Sequence, residues 1–543
     1  MKAQCLPFSQ IPHTTRLFTD FLEYSPKVQP FYPHSPHFTE WSKAESAALR
    51  YDPSRRERVS GILERQNRSW DASPQTFANL NRLRGGAAAV VTGQQVGLFG
   101  GPMFAIYKAL TAVKLAEEAT AAGINAVPVF WLATSDHDLA EVNRVSIPGP
   151  EGLLRTLMTS SQAIPGAPVS NVYLGDEILP IVEEAVSLLG DSEVSQLLRE
   201  SYRPGETLGT AFARFYAHLF GRWGVILLDA SDAELHRVAA PIYRTAIERA
   251  QDLEAALLAR GQALESAGYY QQVKVTESSV LLFTLRDGAR TPIHRRDGAN
   301  HAVEFAVGGE PGAEKLSSTE LLDRIAAAPE NFSPNVLLRP VVQDYLLPTL
   351  AYTGGAAEAA YFAQVGAVYE VILGRVTPIV PRFSATLVEA KVQRWLGQYD
   401  ITVRDVFDGP EALRQRLAGR TLPAGLQAAF ERANQSVEES FAGLKDALAK
   451  LDPTLVEASE TGASKVRYQL DRLRERAMAA ELRRSEVVSR HAQALSQALY
   501  PENALQERGV AGVYFVARHG MDLPQSIHDT MRTDCHDHQI LEL

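Results

Sequence analysis

Cysteine is nearly absent: 543 residues contain two, Cys5 and Cys535, at opposite ends of the chain. Two thiols cannot build a disulfide framework or a four-cysteine zinc site, and neither falls where a nucleophile would sit inside a central fold. Apolar runs of about 18 residues are also missing, and the opening Met1-Lys2-Ala3-Gln4-Cys5-Leu6-Pro7 lacks the apolar stretch of a secretory signal. A cytoplasmic protein without a membrane partner is therefore expected. Basic residues are outnumbered, 54 against 64 acidic, for a formal net charge of -10. That balance argues against nucleic acid as a partner, while a small acidic substrate needs only a local basic pocket. With 45% hydrophobic and 22% charged residues, the composition is that of a globular chain. Its length calls for two to four structural units, because a single core stops growing well before this size.

What is present centres on Val90 to Asn143. A short apolar run, Ala87 to Val91, reads as a strand buried on both faces. Thr92, Gly93, Gln94, Gln95 and Gly97 follow, then Gly100, Gly101 and Pro102, and a helix from Met103 to Ala122 carrying Lys108. Glycine permits close approach of a ligand, and the free N–H groups of a helix start favour an anion. The spacing matches neither of the two common phosphate-loop fingerprints. Two adjacent glutamine amides in a turn suit ligand binding better than core packing. A second strand, Val127 to Ala133, leads to Asp136, His137, Asp138 and, beyond them, Asn143. The two acids can orient the imidazole as a general base or hold a metal, and one of them can instead cap the next helix. Strand, loop, helix and strand make a βαβ unit whose polar strand ends form the edge where open α/β sheets bind ligands.

Residues 1–85 read as a helical segment packing on the core, and 86–405 as the core itself, with insertions near 147–205 and 270–330. Val225 to Asp229 is another buried strand, and alternation from Gln271 to Leu285 makes the second insertion β-rich. Asn335 to Gln364 then sets Arg339, Gln343, Glu358 and Tyr361 among apolar residues, and Arg382 is a further candidate anion contact. From 406 to 500 the rhythm changes. Leu426, Phe430, Ala433, Val437, Phe441, Leu444, Leu448 and Leu451 step by threes and fours, Pro453 breaks the run, and Val466, Leu470, Leu473, Ala477 and Ala480 resume it. This predicts an antiparallel helical hairpin whose spare apolar face pairs with a second copy. The segment 501–543 is expected to return to the core. Its Cys535-His536-Asp537-His538 is too tightly spaced for a four-ligand zinc site, so no metal is assigned. The fold class is α/β: a Rossmann-like parallel-sheet core with two connecting insertions and a C-terminal α-helical antiparallel coiled coil.

Several of these motifs, in this order, resemble the bacillithiol-biosynthesis cysteine-adding enzyme family. They are Thr92-Gly93-Gln94-Gln95-Val96-Gly97-Leu98 with Gly101-Pro102, the strand Pro128 to Ala133 with Asp136-His137-Asp138, Arg339-Pro340 through Gln343, Pro348-Thr349 and Glu358, and Leu499-Tyr500-Pro501 with Leu505 to Arg508. The resemblance implies a carbon–nitrogen ligase joining the carboxyl of cysteine to the amine of glucosaminyl malate, giving the low-molecular-weight thiol bacillithiol. It implies ATP as co-substrate, leaves room for magnesium, expects no zinc, and makes the helical hairpin a homodimer contact. Asp136, His137 and Asp138 would be catalytic. Thr92, Gly93, Gln94, Gln95, Gly97, Lys108, Asn143, Arg339, Gln343, Glu358, Tyr361 and Arg382 would bind substrate or nucleotide. The core is similar to class I aminoacyl-tRNA synthetases and nucleotidylyltransferases but has no H-I-G-H signature. Two rival readings stand beside the ligase: a nucleotidylyltransferase acting on a sugar phosphate, and a non-catalytic dimeric nucleotide-binding protein.

Overall fold

The computed structural model describes residues 2–150, 152–160, 163–297, 303–309, 313–420, 424–484 and 486–543. The chain divides into two compact units, one of residues 1–150, 154–386 and 507–541, the other chiefly 387–506.

The first unit is built on five parallel strands: β1 (Ala88–Gln94), β2 (Ala126–Leu132), β3 (Ile226–Asp229), β4 (Thr349–Gly354) and β5 (Ile379–Pro381). Their order across the sheet is β5-β4-β1-β2-β3, with every neighbouring pair parallel. The chain runs outward from β1 to β3 and then crosses back to the other side of β1. The point where the order reverses lies between the C-terminal ends of β1 and β4, which is where such sheets open a ligand crevice. All of β2 and all of β4 are buried, as strands covered on both faces must be, and this accounts for their unbroken apolar runs.

β1 is longer than its apolar run suggested. Pairing with β2 continues past Val91 to set Gln94 opposite Leu132, so Gln94 stands on the sheet edge rather than in the turn. The turn after it is tight for a steric reason. Gly100 has φ +84°, and a Cβ there would lie 2.7 Å from the Phe215 ring. Helix α1 (Met103–Ala121) follows. Its first amide, that of Met103, donates to the Val510 carbonyl at 2.9 Å, so the chain itself takes one of the donors expected to face an anion.

Three further helices place site residues. In α2 (Ala233–Glu248), the Asp232 carboxylate accepts from the amides of Glu234 and Leu235. α3 (Arg339–Leu346) starts with Pro340 in its first turn, where a missing N–H costs nothing. α4 (Ala356–Ile372) begins directly at the end of β4. Between β2 and β3 lies the first insertion, an antiparallel pair (Arg144–Pro148 with Leu154–Met158) and two helices, Ile178–Leu189 and Glu193–Ser201. Between β3 and β4 lies the second, a five-stranded antiparallel sheet that includes the hairpin Ser279–Arg286 and Ala289–Asp297.

The two ends of the first unit's chain meet. Phe8 N–H donates to Asp537 at 2.9 Å, and Cys5 and Cys535 form a disulfide across 530 residues. Spacing alone offered no reason to pair them; the meeting of the chain ends does. Thiol titration of the denatured, unreduced protein is expected to find no free thiol and, after reduction, both cysteines. Two thiols before reduction would contradict the bond.

In the second unit, α5 (Ala424–Leu451) and α6 (Leu455–Arg484) form an antiparallel hairpin with its turn at Pro453. The Lys445–Glu460 pair lies near the turn and Glu438–Arg467 further from it, as antiparallel packing requires. Leu444, Leu451, Tyr468 and Leu473 are each more than half exposed on this hairpin. Among the described residues, no helix is long and apolar enough to cross a membrane.

Candidate active site

Two polar clusters stand at the C-terminal edge of the sheet. At the crossover, α1 carries Lys108 inward, and its ammonium donates to the Gly93 carbonyl at 2.7 Å and the Gln94 amide oxygen at 2.9 Å. It also pairs with Glu358 at 2.6 Å, the carboxylate that α4 brings down over the end of β4. Glu358 is held on its other side by the Tyr352 hydroxyl at 2.5 Å and the Gly355 amide at 2.8 Å. Burial lowers the Lys108 pKa to about 8, against the opposing pull of Glu358. Burial pushes the Glu358 carboxyl up, but Lys108, Tyr352 and Gly355 outweigh it and hold it below its ordinary range.

More cations close around this pair. Arg339 donates to Gln343 and to the Tyr361 hydroxyl, each at 3.0 Å, and lies over the rings of Tyr352 and Trp131. Arg382 makes a two-pronged pair with the buried Glu507, at 2.6 and 3.1 Å, and packs so near Gly355 that a Cβ there would sit 3.1 Å from its Nε. Arg382 and Arg508 both lie against the Phe104 ring. Four cations (Lys108, Arg339, Arg382, Arg508) thus face two carboxylates (Glu358, Glu507). Positive charge is therefore in excess in this buried cluster.

The second cluster lies across β1. Gln95 turns away from Gln94 and donates to Asp136 at 2.8 Å, so neighbouring amides serve opposite clusters. Asp136 accepts from the His137 amide at 2.7 Å, and its Oδ1 lies 3.5 Å from the imidazole Nδ1. The other polar neighbour is Arg290, from the second insertion's hairpin, 3.3 Å from His137 Nδ1 and 3.6 Å from Asp136. Arg290 is itself fixed by the Ser333 hydroxyl at 2.9 Å and the Pro334 carbonyl at 2.6 Å. The other sequence-selected residues have quieter placements. Asp138 caps the helix Leu139–Val142, accepting from Glu141 N–H at 3.3 Å. Thr92 ties β1 to the Thr353 carbonyl of β4, Gly97 permits the close pass of Gly101, and Asn143 reaches the Thr159 carbonyl. The half-buried Asp229 carboxylate accepts from Thr134 and Ser231.

Arg290, Tyr352, Glu507 and Arg508 had not been selected from sequence. A Tyr two residues before a glycine turn and an Arg after Asp287-Gly288 carry no local mark of a site. Leu505 to Arg508 was noted only as a motif, with nothing to place it against β5. Among the described residues, no group of three or more His, Cys, Asp or Glu is arranged to hold a metal ion. His538 is enclosed by Ser384 and Thr386, and His536 hydrogen-bonds the His37 ring at 3.0 Å.

The Lys108 geometry has a pH signature. Its affinity-supporting charge is present below pH 8 and lost above it, so affinity for a dianion such as malate is expected to fall as pH rises through about 8. Lys108→Arg should hold affinity through that range in calorimetric titrations; an unchanged alkaline limb would contradict the assignment. The stability sign is opposite. Between about 8 and 10.5 the unfolded chain keeps a Lys108 proton that the folded chain has shed, so this group's contribution to stability rises with pH there.

The first unit is thus a Rossmann-like parallel sheet with a cluster of cations at its crossover and Asp136, His137 and Arg290 beside it. Residues 1–383 match the family model "Bacillithiol biosynthesis BshC, N-terminal Rossmann-like domain", and residues 385–543 match "Bacillithiol biosynthesis BshC, C-terminal coiled-coil domain". A protein of Koribacter versatilis named "Putative cysteine ligase BshC" is 49% identical over 543 residues, all of both chains. Proteins of the same name from Solibacter usitatus and Salinibacter ruber are 37% and 34% identical, over the whole of both chains and over 97% and 96% of them respectively. The chain belongs to the bacillithiol-biosynthesis BshC family.

Proposed function

We propose that the chain is a carbon–nitrogen ligase that joins the carboxyl of cysteine to the amine of glucosaminyl malate, forming bacillithiol. One observation carries the reading: a crevice with more cations than carboxylates and an acid-held imidazole share one sheet edge, linked through Gln94 and Gln95. Family membership along the whole chain supports it.

Amide formation needs an activated carboxylate and a neutral amine. ATP, as co-substrate, would supply the activation, and magnesium could accompany its phosphates. Lys108, Arg339, Arg382 and Arg508 suit carboxylate and phosphate oxygens, and in a crevice shielded from water such donors act strongly on charge developing in the transition state. Gln94, Gln343 and Tyr361 orient these cations. With Arg290, which can only donate, shifted from His137 Nδ1 onto the Asp136 carboxylate and Nδ1–H turned to Asp136, His137 presents Nε2 to take the proton of the attacking amine. Asp138 acts by fixing the chain after His137. Work in the cytoplasm, where cysteine and ATP are available, fits this chemistry.

The hairpin's exposed apolar residues support a homodimer formed through α5 and α6. Leu444→Asp with Leu473→Asp should halve the mass measured by light scattering to that of the 59.5 kDa chain. An unchanged mass would sink this contact. For the activity, a strain relying on this chain for bacillithiol should lose the thiol when His137 is alanine, with protein levels unchanged. Normal bacillithiol in that strain would overturn the catalytic assignment.

A further inference from the structure

Arg290 stands between the imidazole and its acid, and a single atom makes both approaches. Its Nη1 lies 3.3 Å from His137 Nδ1 and 3.6 Å from Asp136 Oδ1. The rest of the fork is committed. Nε donates to the Ser333 hydroxyl, Nη2 donates to the Pro334 carbonyl, and Cζ lies 4.1 Å from the centre of the Phe283 ring. The Arg290 side chain is 9% exposed, whereas those of Asp136 and His137 are 33% and 42% exposed, so Nη1 is on the open side of the guanidinium. A guanidinium only donates, so Nδ1 accepts here and the neutral ring carries its one proton on Nε2. In that tautomer Asp136 faces a lone pair, and Nε2 has none with which to take a proton. The imidazole as it stands is not a base at Nε2.

Resting on the ligase reading, we infer that Arg290 reads a carboxylate of the amine-bearing substrate, and that His137 becomes a base only when this carboxylate draws Nη1 off Nδ1. Nη1 carries two hydrogens. With one on Asp136 and the other on the substrate carboxylate, it has none left for the imidazole. The proton on Nε2 then passes to water and one from water settles on Nδ1 against Asp136, so the ring stays neutral. Nε2 takes the amine proton as the nitrogen bonds the activated carboxyl carbon and the activating group leaves. A carboxylate on the amine's own molecule suits this role better than the cysteine carboxyl or a phosphate of ATP. Those two meet in the activation step, and a base formed by them would turn water on the activated carboxyl.

Long-range proton–nitrogen NMR of protein with isotope-labelled histidine reads the tautomer, with His137→Ala assigning the signal. The free protein should show the Nε2–H form of His137, and saturating glucosaminyl malate should convert it to the Nδ1–H form. Arg290→Met should show the Nδ1–H form without ligand, and should consume ATP with cysteine alone at least about tenfold faster than wild type. Arg290→Lys, which keeps the charge without the fork, should raise KM for glucosaminyl malate about tenfold, the scale of one lost charge-assisted hydrogen bond, with KM for cysteine and ATP within about threefold. In a wild type that makes bacillithiol, an Nδ1–H form before ligand is added, or an Nε2–H form that persists afterwards, overturns the inference and leaves the ligase reading standing. Equal KM rises for all three substrates in Arg290→Lys make the residue structural and overturn the inference as well. Conversion of the tautomer in a protein that forms no bacillithiol keeps Arg290's control of His137 and overturns the ligase reading.

Discussion

Replacing Glu507 with glutamine is expected to destabilise the fold by about 3–5 kcal/mol, the usual cost of leaving one member of a buried ion pair without its partner. The Arg382 and Glu507 side chains are 6% and 1% exposed, so water cannot take over the missing interaction. Glu507 is also a hub. It accepts from the Ser384 hydroxyl at 3.0 Å and the Ala385 amide at 3.1 Å, and with Arg382 it fixes the chain after β5. Its loss leaves Arg382 and Arg508 close together with Glu358, already paired to Lys108, as the remaining carboxylate of the cluster. Denaturant midpoints measure the effect, and a shift below about 1 kcal/mol would show that the cluster is more hydrated than its geometry indicates. A second substitution, Arg382→Met, made in the same chain should restore part of the loss, because removing both charges removes the desolvation cost. The pH sign follows from the pair. Burial alone would push the Glu507 carboxyl up, but Arg382 overrides it and holds it below its ordinary 4.5. Its stabilising contribution is therefore present above that value and is lost as pH falls through the lowered one.

His137→Ala should behave in the opposite way, costing activity and not stability. A general base contributes roughly 10²- to 10⁴-fold, so kcat for ligation should fall on that scale. The imidazole is 42% exposed, and Arg290, which loses it as a partner, keeps Asp136, Ser333 and Pro334, so the denaturant midpoint should scarcely move. Asp136→Asn should fall between wild type and His137→Ala, because it disturbs the orientation of the ring and leaves the ring in place. A His137→Ala enzyme with normal kcat would remove the imidazole from the chemistry. The remaining account would then rest on the cationic crevice alone.

Much of this arrangement was legible in the sequence, because it depends on local signals. The apolar runs of β2 and β3 follow from burial on both faces. The hairpin's rhythm of threes and fours, broken at Pro453, yields α5 and α6 directly. Lys108 lies five residues into α1, so the βαβ unit alone carries it over the end of β1, where it meets the Gly93 carbonyl and the Gln94 amide. Glu358 and Tyr361 are placed by the glycine turn that starts α4. The residues that escaped notice are those brought in from far along the chain. Arg290 meets His137 across 153 positions, and Glu507 meets Arg382 across 125. No periodicity records such meetings. The same applies to Cys5 and Cys535, whose pairing depends on where two chain ends come to rest. The acid–histidine–acid triplet shows the converse. Three adjacent polar residues suggest one device, yet the backbone separates them: Asp136 faces the ring, and Asp138 turns to cap the next helix.

The central claim is that this crevice makes an amide of cysteine. Its most direct test is product analysis of the purified protein with cysteine, glucosaminyl malate and ATP, each omitted in turn. Bacillithiol should form with all three and disappear when any one is withheld. Absence of thiol product from the complete mixture, or pyrophosphate release from nucleotide and a sugar phosphate without cysteine, would contradict the account.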